Sequence, residues 1–170
     1  SAHTYDGLEY LPNVDRIFRN GGSEWLTGNN FDRSAWLFDM ETRTWERRSE
    51  GGGGFPGTAF DPVRGSVYVV GRNYVDEYNP VRSEWIRRNP REPDFLQSVT
   101  ALDPENRKII TESFRPDSII AYSIREDGTI SSRNFVNPKG ATEWNKMMAA
   151  LEYDPVRKVL VAWGGGRGTA

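Results

Sequence analysis

Short apolar segments alternate with polar turns along this chain, and one arrangement of them recurs. The stretch FDPVRGSVYVVG (60–71) returns as EYDPVRKVLVAWGG (152–165), and ALDPENRKIIT (101–111) lies between them. In each copy a small or apolar segment leads into Asp-Pro, and a β-branched run follows a few polar residues later. Asp accepts hydrogen bonds from the backbone ahead of it, and Pro presets φ for the first turn position. The pattern therefore predicts that each Asp-Pro begins the tight turn of a β-hairpin.

Two features of this pattern repeat in step. A weaker copy of the turn lies at 10–18, and the prolines of the four copies are 50, 42 and 51 residues apart (Pro12, Pro62, Pro104, Pro155). An aromatic residue, a polar turn and a second apolar residue also recur together (Phe38 and Trp45, Tyr78 and Trp85, Tyr122 and Ile130). Because two separate features keep the same period, the sequence indicates an array of similar units.

Each unit predicts four antiparallel strands, named A to D in chain order. Strand A is small and apolar, strand B is the β-branched run, strand C ends in the aromatic residue, and strand D is polar. Four-stranded units of about 45 residues are typical of an all-β fold, the β-propeller, in which strands B and C lie between neighbouring blades. We expect a single propeller segment over 1–170, with blades at about 1–50, 51–92 and 93–138 and a partial blade at about 139–170.

The units resemble kelch repeats, whose hallmarks are a diglycine after strand B, then a Tyr, then a Trp. The matching residues are Gly21-Gly22, Phe38 and Trp45 in the first unit, Tyr78 and Trp85 in the second, Tyr122 in the third and Gly164-Gly165-Gly166 in the fourth. The resemblance extends to the central domain of galactose oxidase, and it implies a kelch-like propeller with a binding role. The oxidase's copper site needs a Cys joined to a Tyr and two His ligands. This chain has no Cys and one His, His3, so the oxidase activity does not carry over.

Composition narrows the classes of function. The net charge is −2, with 22 basic and 24 acidic residues, so nothing favours nucleic acid or an anionic membrane surface as a partner. No apolar run approaches the 18 or so residues of a membrane span. The glycine-rich stretch 51–57 lacks the Lys-Ser/Thr of a phosphate loop, which favours a link between blades. His3, expected at the start of the first strand A, has no partner ligands, so we predict no metal, no cofactor and no catalytic residue.

The connections between the predicted strands differ in length. The A–B and C–D connections are short, whereas the B–C and D–A connections are longer and lie at the opposite end of each blade. Loops on a rigid scaffold often carry binding residues. We therefore predict a binding site among the large polar and aromatic residues of this loop end: Trp25, Asn29, Asn30, Arg33, Tyr74, Arg115 and Trp144. The alternative is that these residues only cover the ends of the blades.

The leading functional prediction is a non-enzymatic binding module that recognises a protein or a carbohydrate through the loop end. One alternative is part of a propeller enzyme, a hydrolase or lyase, whose catalytic residues lie outside this chain. Another is a structural component of a larger assembly. At the turn end, Asp61, Asp103 and Asp154 are expected to begin hairpins and to contact no ligand. The compartment stays open, with a secreted or cell-surface location favoured over the cytoplasm.

The strand count predicts an incomplete propeller. Three units carry strands A to D, and the fourth carries only A and B, which makes about three and a half blades where closed propellers have at least about four. The last strand, Val159 to Trp163, would be an apolar edge of a kind that folded proteins avoid exposing. We expect further blades from a longer chain or from another subunit.

Overall fold

A computed structural model of the chain describes residues 2–3, 6–24, 32–52, 56–71, 74–88, 99–112, 118–136 and 149–164. These residues form β-strands and turns, and none of them lies in a helix. Within these ranges, accordingly, no helix is long and apolar enough to cross a membrane. The all-β class predicted from the sequence is confirmed.

Sixteen strands are present in the described ranges. They are β1 (Ala2–His3), β2 (Leu8–Leu11), β3 (Arg16–Arg19), β4 (Ser23–Glu24), β5 (Ser34–Asp39), β6 (Thr44–Glu50), β7 (Gly57–Asp61), β8 (Ser66–Gly71), β9 (Tyr74–Asn79), β10 (Glu84–Arg87), β11 (Thr100–Asp103), β12 (Lys108–Glu112), β13 (Ser118–Ile124), β14 (Ile130–Val136), β15 (Ala149–Asp154) and β16 (Val159–Gly164).

The strands form separate antiparallel sheets that follow the chain order. The first sheet is β2-β3-β5-β6, the second is β7-β8-β9-β10, the third is β11-β12-β13-β14, and the fourth contains β15 and β16. A small fifth sheet joins β1 to β4, with His3 opposite Ser23. The expected place of His3 at the start of the first strand A is therefore wrong, because that strand begins at Leu8. The described sheets do not close into a barrel.

The Asp-Pro segments form the predicted turns between strands A and B. The Asp61 carboxylate accepts hydrogen bonds from the backbone N–H groups of Val63 and Arg64, at 3.0 and 3.4 Å. Asp103 and Asp154 make the same two bonds in the third and fourth sheets. Each turn ends in a residue of positive φ: Asp15, Gly65, Arg107 and Lys158. The repeated turn is thus a hydrogen-bonded hairpin start, as the sequence predicts.

The repeated aromatic pairs lie side by side on strands C and D. Phe38 is opposite Trp45 with ring centroids 5.1 Å apart, and Tyr78 is opposite Trp85 at 4.9 Å. In the third sheet the predicted equivalence of Ile130 with these tryptophans is wrong. Ile130 pairs with Ile124, and Ser132 lies opposite Tyr122. The main cause is a longer strand C: β13 continues two residues past Tyr122, whereas β5 and β9 end one residue past Phe38 and Tyr78. The turn that follows is also longer, with five residues (125–129) where the first two sheets have four.

The core lies between consecutive sheets, and β8 contributes to two parts of it. All six residues of β8 are buried. Val67 and Val69 pack with Phe18 and Leu37 of the first sheet, whereas Tyr68 and Val70 pack with residues of the third, such as Ile109. Because side chains alternate between the two faces of a strand, a strand covered on both faces requires an unbroken apolar run such as VYVV (67–70).

The first strands of the sheets lie next to one another in chain order. β2 contacts β7, β7 contacts β11, and β11 contacts β15. The segment before β2 reinforces this contact through a parallel bridge between Asp6 and Gly57. The four sheets therefore approach each other along their first strands, and the polar strands β6 and β10 lie at the far edges of theirs.

Candidate functional site

The two ends of the sheets differ in character. The end with the A–B and C–D connections consists of tight hairpins at 12–15, 40–43, 62–65, 80–83, 104–107 and 155–158. The opposite end carries the B–C and D–A connections, and it is the loop end on which binding residues are predicted. Of these residues, Arg33 and Tyr74 belong to the described ranges; Trp25, Asn29, Asn30, Arg115 and Trp144 lie outside them.

Asp32 organises the described part of the loop end in the first sheet. Its carboxylate accepts hydrogen bonds from the backbone N–H of Ser34 at 2.9 Å and from the Trp36 indole N–H at 2.7 Å, and Arg19 lies 3.5 Å away. Burial opposes ionisation of this carboxyl group, but the two hydrogen bonds and the Arg19 charge outweigh it and lower the pKa of Asp32. The carboxylate thus stays charged and holds Trp36 and Arg19 in fixed orientations.

Arg33 has a fixed backbone and an exposed side chain. Its carbonyl oxygen accepts hydrogen bonds from the buried Asn20 side chain at 3.3 Å and from the backbone N–H of Gly51 at 2.9 Å. Asn20 also donates to the carbonyl oxygens of Ser34 and Gly51, both at 3.1 Å. The guanidinium of Arg33 therefore projects from a rigid base, which suits a residue that contacts a ligand.

Tyr74, at the start of β9, is half-buried and packs against the core between the first two sheets. The Arg87 guanidinium lies over its ring, 5.4 Å from the centroid, and also forms an ion pair with Asp76. Asp76 accepts a further hydrogen bond from the backbone of Gly52. Since Gly51 is bound to the Arg33 carbonyl, residues 51–52 connect the Arg33 and Tyr74 neighbourhoods at the loop end.

A group of carboxylates along the first strands was not predicted from the sequence. The Asp6 carboxylate accepts a hydrogen bond from the backbone N–H of Thr100 at 2.9 Å, and Glu9 on β2 accepts one from the backbone of Phe60. Burial, with a further contribution from the charge of Glu152 on β15, raises the pKa of Asp6 to about 7 and that of Glu9 to about 8. We name Asp6, Glu9 and Glu152 the inner carboxylates.

A sequence signal for the inner carboxylates does exist. Leu-Glu-Tyr stands directly before the turn in both the first and the fourth unit, at 8–10 and 151–153. The second and third units have alanine, Ala59 and Ala101, at the Glu position. The described residues contain no group of three or more His, Cys, Asp or Glu side chains that could hold a metal ion. Carboxyl groups with such raised pKa values instead exchange protons near neutral pH.

The turn end of the second sheet holds a second set of charges, all of them paired. Both oxygens of the buried Glu77 carboxylate are bound, one by Arg64 at 2.9 Å and Ser66 at 2.7 Å, the other by Arg88 at 2.7 Å. These bonds outweigh the effect of burial and lower the pKa of Glu77. Because its ionised form is already fully hydrogen-bonded, this cluster has a structural role and is not a candidate binding site.

Tyr68 lies beside this cluster, and its buried hydroxyl allows a test of how hydrogen bonding affects stability. Its side chain is fully buried, and its hydroxyl has no hydrogen-bond partner among the described residues. We expect Tyr68→Phe to raise the free energy of unfolding by about 1 kcal/mol, because a buried hydroxyl without a partner is destabilising. Urea unfolding followed by tryptophan fluorescence measures the change.

The matched control is Tyr78→Phe. Tyr78 is equally buried, but its hydroxyl lies 3.3 Å from the Ser83 hydroxyl oxygen, so its loss should lower the free energy of unfolding by about 1 kcal/mol. A Tyr68→Phe variant that is destabilised to the same extent would contradict the prediction and would indicate an ordered water on the Tyr68 hydroxyl.

Comparison with known proteins shows the fold. No family model matches the chain, and no curated protein matches its sequence. A crystal structure of an auxiliary nutrient binding protein from Bacteroides ovatus superposes on 88% of the chain with a TM-score of 0.60 and 11% identity. A protein of unknown function from Bacteroides thetaiotaomicron superposes on 73% with a TM-score of 0.52 and 14% identity. The chain spans 38% and 32% of these two structures.

Proposed function

We propose that the chain is part of a kelch-like β-propeller and that it is a non-enzymatic binding module for a carbohydrate-type nutrient. The observation that carries the proposal is the arrangement at the loop end. Exposed Arg33, the Asp32–Trp36 pair and the Tyr74–Arg87 stack belong to one hydrogen-bonded framework. Aromatic side chains with a few rigidly placed polar or charged groups are typical of sites that bind small ligands.

Two further observations support this proposal. The repeated four-stranded sheets, adjacent along their first strands, have the strand order of propeller blades. A solved structure of similar fold is described as a nutrient binding protein. The proposed contacts are those predicted from the sequence: Trp25, Asn29, Asn30, Arg33, Tyr74, Arg115 and Trp144. A protein bound through the same end is the second candidate, since Trp, Tyr and Arg are enriched at the centres of protein interfaces.

Substitution of Arg33 tests the loop end directly. After a glycan array has identified a ligand, Arg33→Ala should weaken its binding about tenfold or more, because a hydrogen bond from a charged group contributes about 1.5–3 kcal/mol. Isothermal titration calorimetry measures the affinity. The melting temperature should stay unchanged, because the hydrogen bonds of Arg33 to other described residues are made by its backbone carbonyl.

The control is Arg82→Ala, which removes an exposed arginine from the turn at 80–83 on the opposite end. This variant should bind with wild-type affinity. Equal losses in both variants would contradict the loop-end assignment. An array without any hit, combined with capture of a protein that Arg33→Ala abolishes, would replace the carbohydrate by the second candidate.

A further inference from the structure

The strand β16 carries a run of exposed apolar residues along its outer edge. Within the described ranges, β16 pairs with β15 alone. Leu160, Val161 and Trp163 are 36%, 42% and 54% exposed. An apolar strand edge with unpaired backbone groups is a ready template for a further strand. The question is which kind of strand fits it.

The other sheets answer this question, because each contains a strand equivalent to β16. These strands are β3, β8 and β12, and each follows a turn that ends in a residue of positive φ. Counting two residues on from that turn residue gives Ile17, Val67, Ile109 and, in the fourth sheet, Leu160. Val67 and Ile109 are fully buried. Leu160 thus occupies a position that is enclosed in the two neighbouring sheets.

The residue opposite this position is aromatic in every complete sheet. Ile17 pairs with Phe38, Val67 with Tyr78 and Ile109 with Tyr122. The strands that supply these aromatic residues, β5, β9 and β13, pair antiparallel with their neighbours and continue into a turn and a fourth strand. An aromatic ring opposite a β-branched or leucine side chain is a favourable cross-strand pair.

We infer that the outer edge of β16 is the docking site of a β-hairpin of the repeat's own C–D type. Its first strand pairs antiparallel with β16 and places an aromatic side chain opposite Leu160. Its turn begins with Asp or Asn, as Asp39 and Asn79 begin the turns after β5 and β9. Its second strand is polar and forms the new outer edge.

A second copy of this chain is the less suitable occupant. Its strands of the C type, β5, β9 and β13, are already paired on both sides within the described sheets, so it could offer only edge strands of another type, such as β6, β10 or its own β16. Two β16 strands side by side would place Leu160 opposite no aromatic residue of the C type. Such a pair would also lack the charged outer strand that closes the first and second sheets.

A peptide copied from the chain tests the inference. The peptide consists of residues 34–50 and includes β5, its turn and β6. It is added to the full chain, and hydrogen–deuterium exchange of the chain is followed by mass spectrometry. We expect saturable slowing of exchange in 159–163. A peptide with Phe38→Ser should bind about two- to tenfold more weakly, because it lacks the aromatic partner of Leu160.

Two protein variants provide the controls. Val161→Lys places a charge on the proposed edge and should abolish the slowing, whereas Val156→Lys, in the adjacent turn, should not. Absence of slowing with the unaltered peptide would overturn the inference, and so would equal binding of the Phe38→Ser peptide. Protection of 159–163 that appears without peptide and grows with protein concentration would identify a second copy as the occupant and would also overturn it.

Discussion

Replacement of Asp61 by alanine is expected to lower the free energy of unfolding by about 3–5 kcal/mol, the range found when one partner of a buried ion pair is removed. Asp61 is fully buried and pairs with Arg107 through both of its oxygens, with the Nη2–Oδ2 distance at 2.7 Å. This pair joins the second sheet to the turn of the third. The substitution would leave the half-buried Arg107 guanidinium without its carboxylate and would remove the turn's side-chain hydrogen bonds.

The repeat offers a matched control at the same position of the next unit. Asp103 makes the same turn bonds, and among the described residues its other side-chain partner is the neighbouring Asn106. Asp103→Ala should therefore cost about 1 kcal/mol, the value of ordinary side-chain hydrogen bonds. Urea unfolding of both variants gives the difference. Equal losses would show that the Asp61–Arg107 pair adds no stability to the second and third sheets.

Asp61→Asn separates the two roles of Asp61. Asparagine can begin this kind of turn, as Asn79 does by accepting hydrogen bonds from the N–H groups of Val81 and Arg82. The variant keeps the turn and loses the charge opposite Arg107. Its free energy of unfolding should fall between those of the wild type and Asp61→Ala.

The second large effect is a fall in stability as the pH rises from about 5 to about 8. The pKa values of Asp6 and Glu9 are raised in the folded protein to about 7 and about 8, mainly by burial. A carboxyl group with a raised pKa binds more protons in the folded state, so its stabilisation is complete below the unfolded pKa and is lost as the pH rises through the folded pKa. With about 1.4 kcal/mol for each pKa unit, and partial exposure to water, the expected loss is roughly 3 kcal/mol.

Burial also raises the pKa of Asp76, which acts in the same direction as Asp6 and Glu9. Burial would raise the pKa values of Asp32 and Glu77, but hydrogen bonds and ion pairs outweigh it and lower both values. The stability that these two carboxylates contribute to the protein is therefore lost only at more acidic pH. Urea unfolding at a series of pH values between 5 and 8 measures the dependence. A free energy of unfolding that is constant or rises across this range would contradict the assignment.

Glu152→Gln identifies the cause of this dependence. The Glu152 charge raises the pKa of both Asp6 and Glu9, so its removal should lower both values and reduce the fall in stability. Glu152 is exposed, so the variant should fold normally. Glu41→Gln, on the exposed turn at 40–43, is the control and should keep the wild-type dependence.

The sequence predicts the local features of this fold and not its long-range pairs. The hairpin turns and the Phe38–Trp45 and Tyr78–Trp85 pairs follow from residues that are close in sequence, so a period is enough to find them. The register of the third sheet departs from the prediction because β13 continues one residue further past its aromatic residue than β5 and β9 do, which places Ile130 opposite Ile124. A comparison based on spacing alone does not show how far a strand continues past its aromatic residue.

The candidate site is less accessible to sequence reasoning. Arg33 and Tyr74 can be selected by their residue types and their place in loops, and both lie at the expected end of the sheets. The inner carboxylates depend on how strands more than 140 residues apart approach each other, as Glu9 and Glu152 do. The Asp61–Arg107 pair likewise joins two turns 46 residues apart. Neither approach is determined by any local pattern.

The side chains of β8 alternate between two cores, so both cores depend on this one strand. Val67 and Val69 belong to the core shared with the first sheet, and Tyr68 and Val70 to the core shared with the third. Displacement of β8 loosens both cores at once. The two cores are therefore expected to unfold together and not as separate units. The second sheet therefore couples its two neighbours. A disturbance in the first sheet is expected to lower the cooperativity with which the third sheet unfolds.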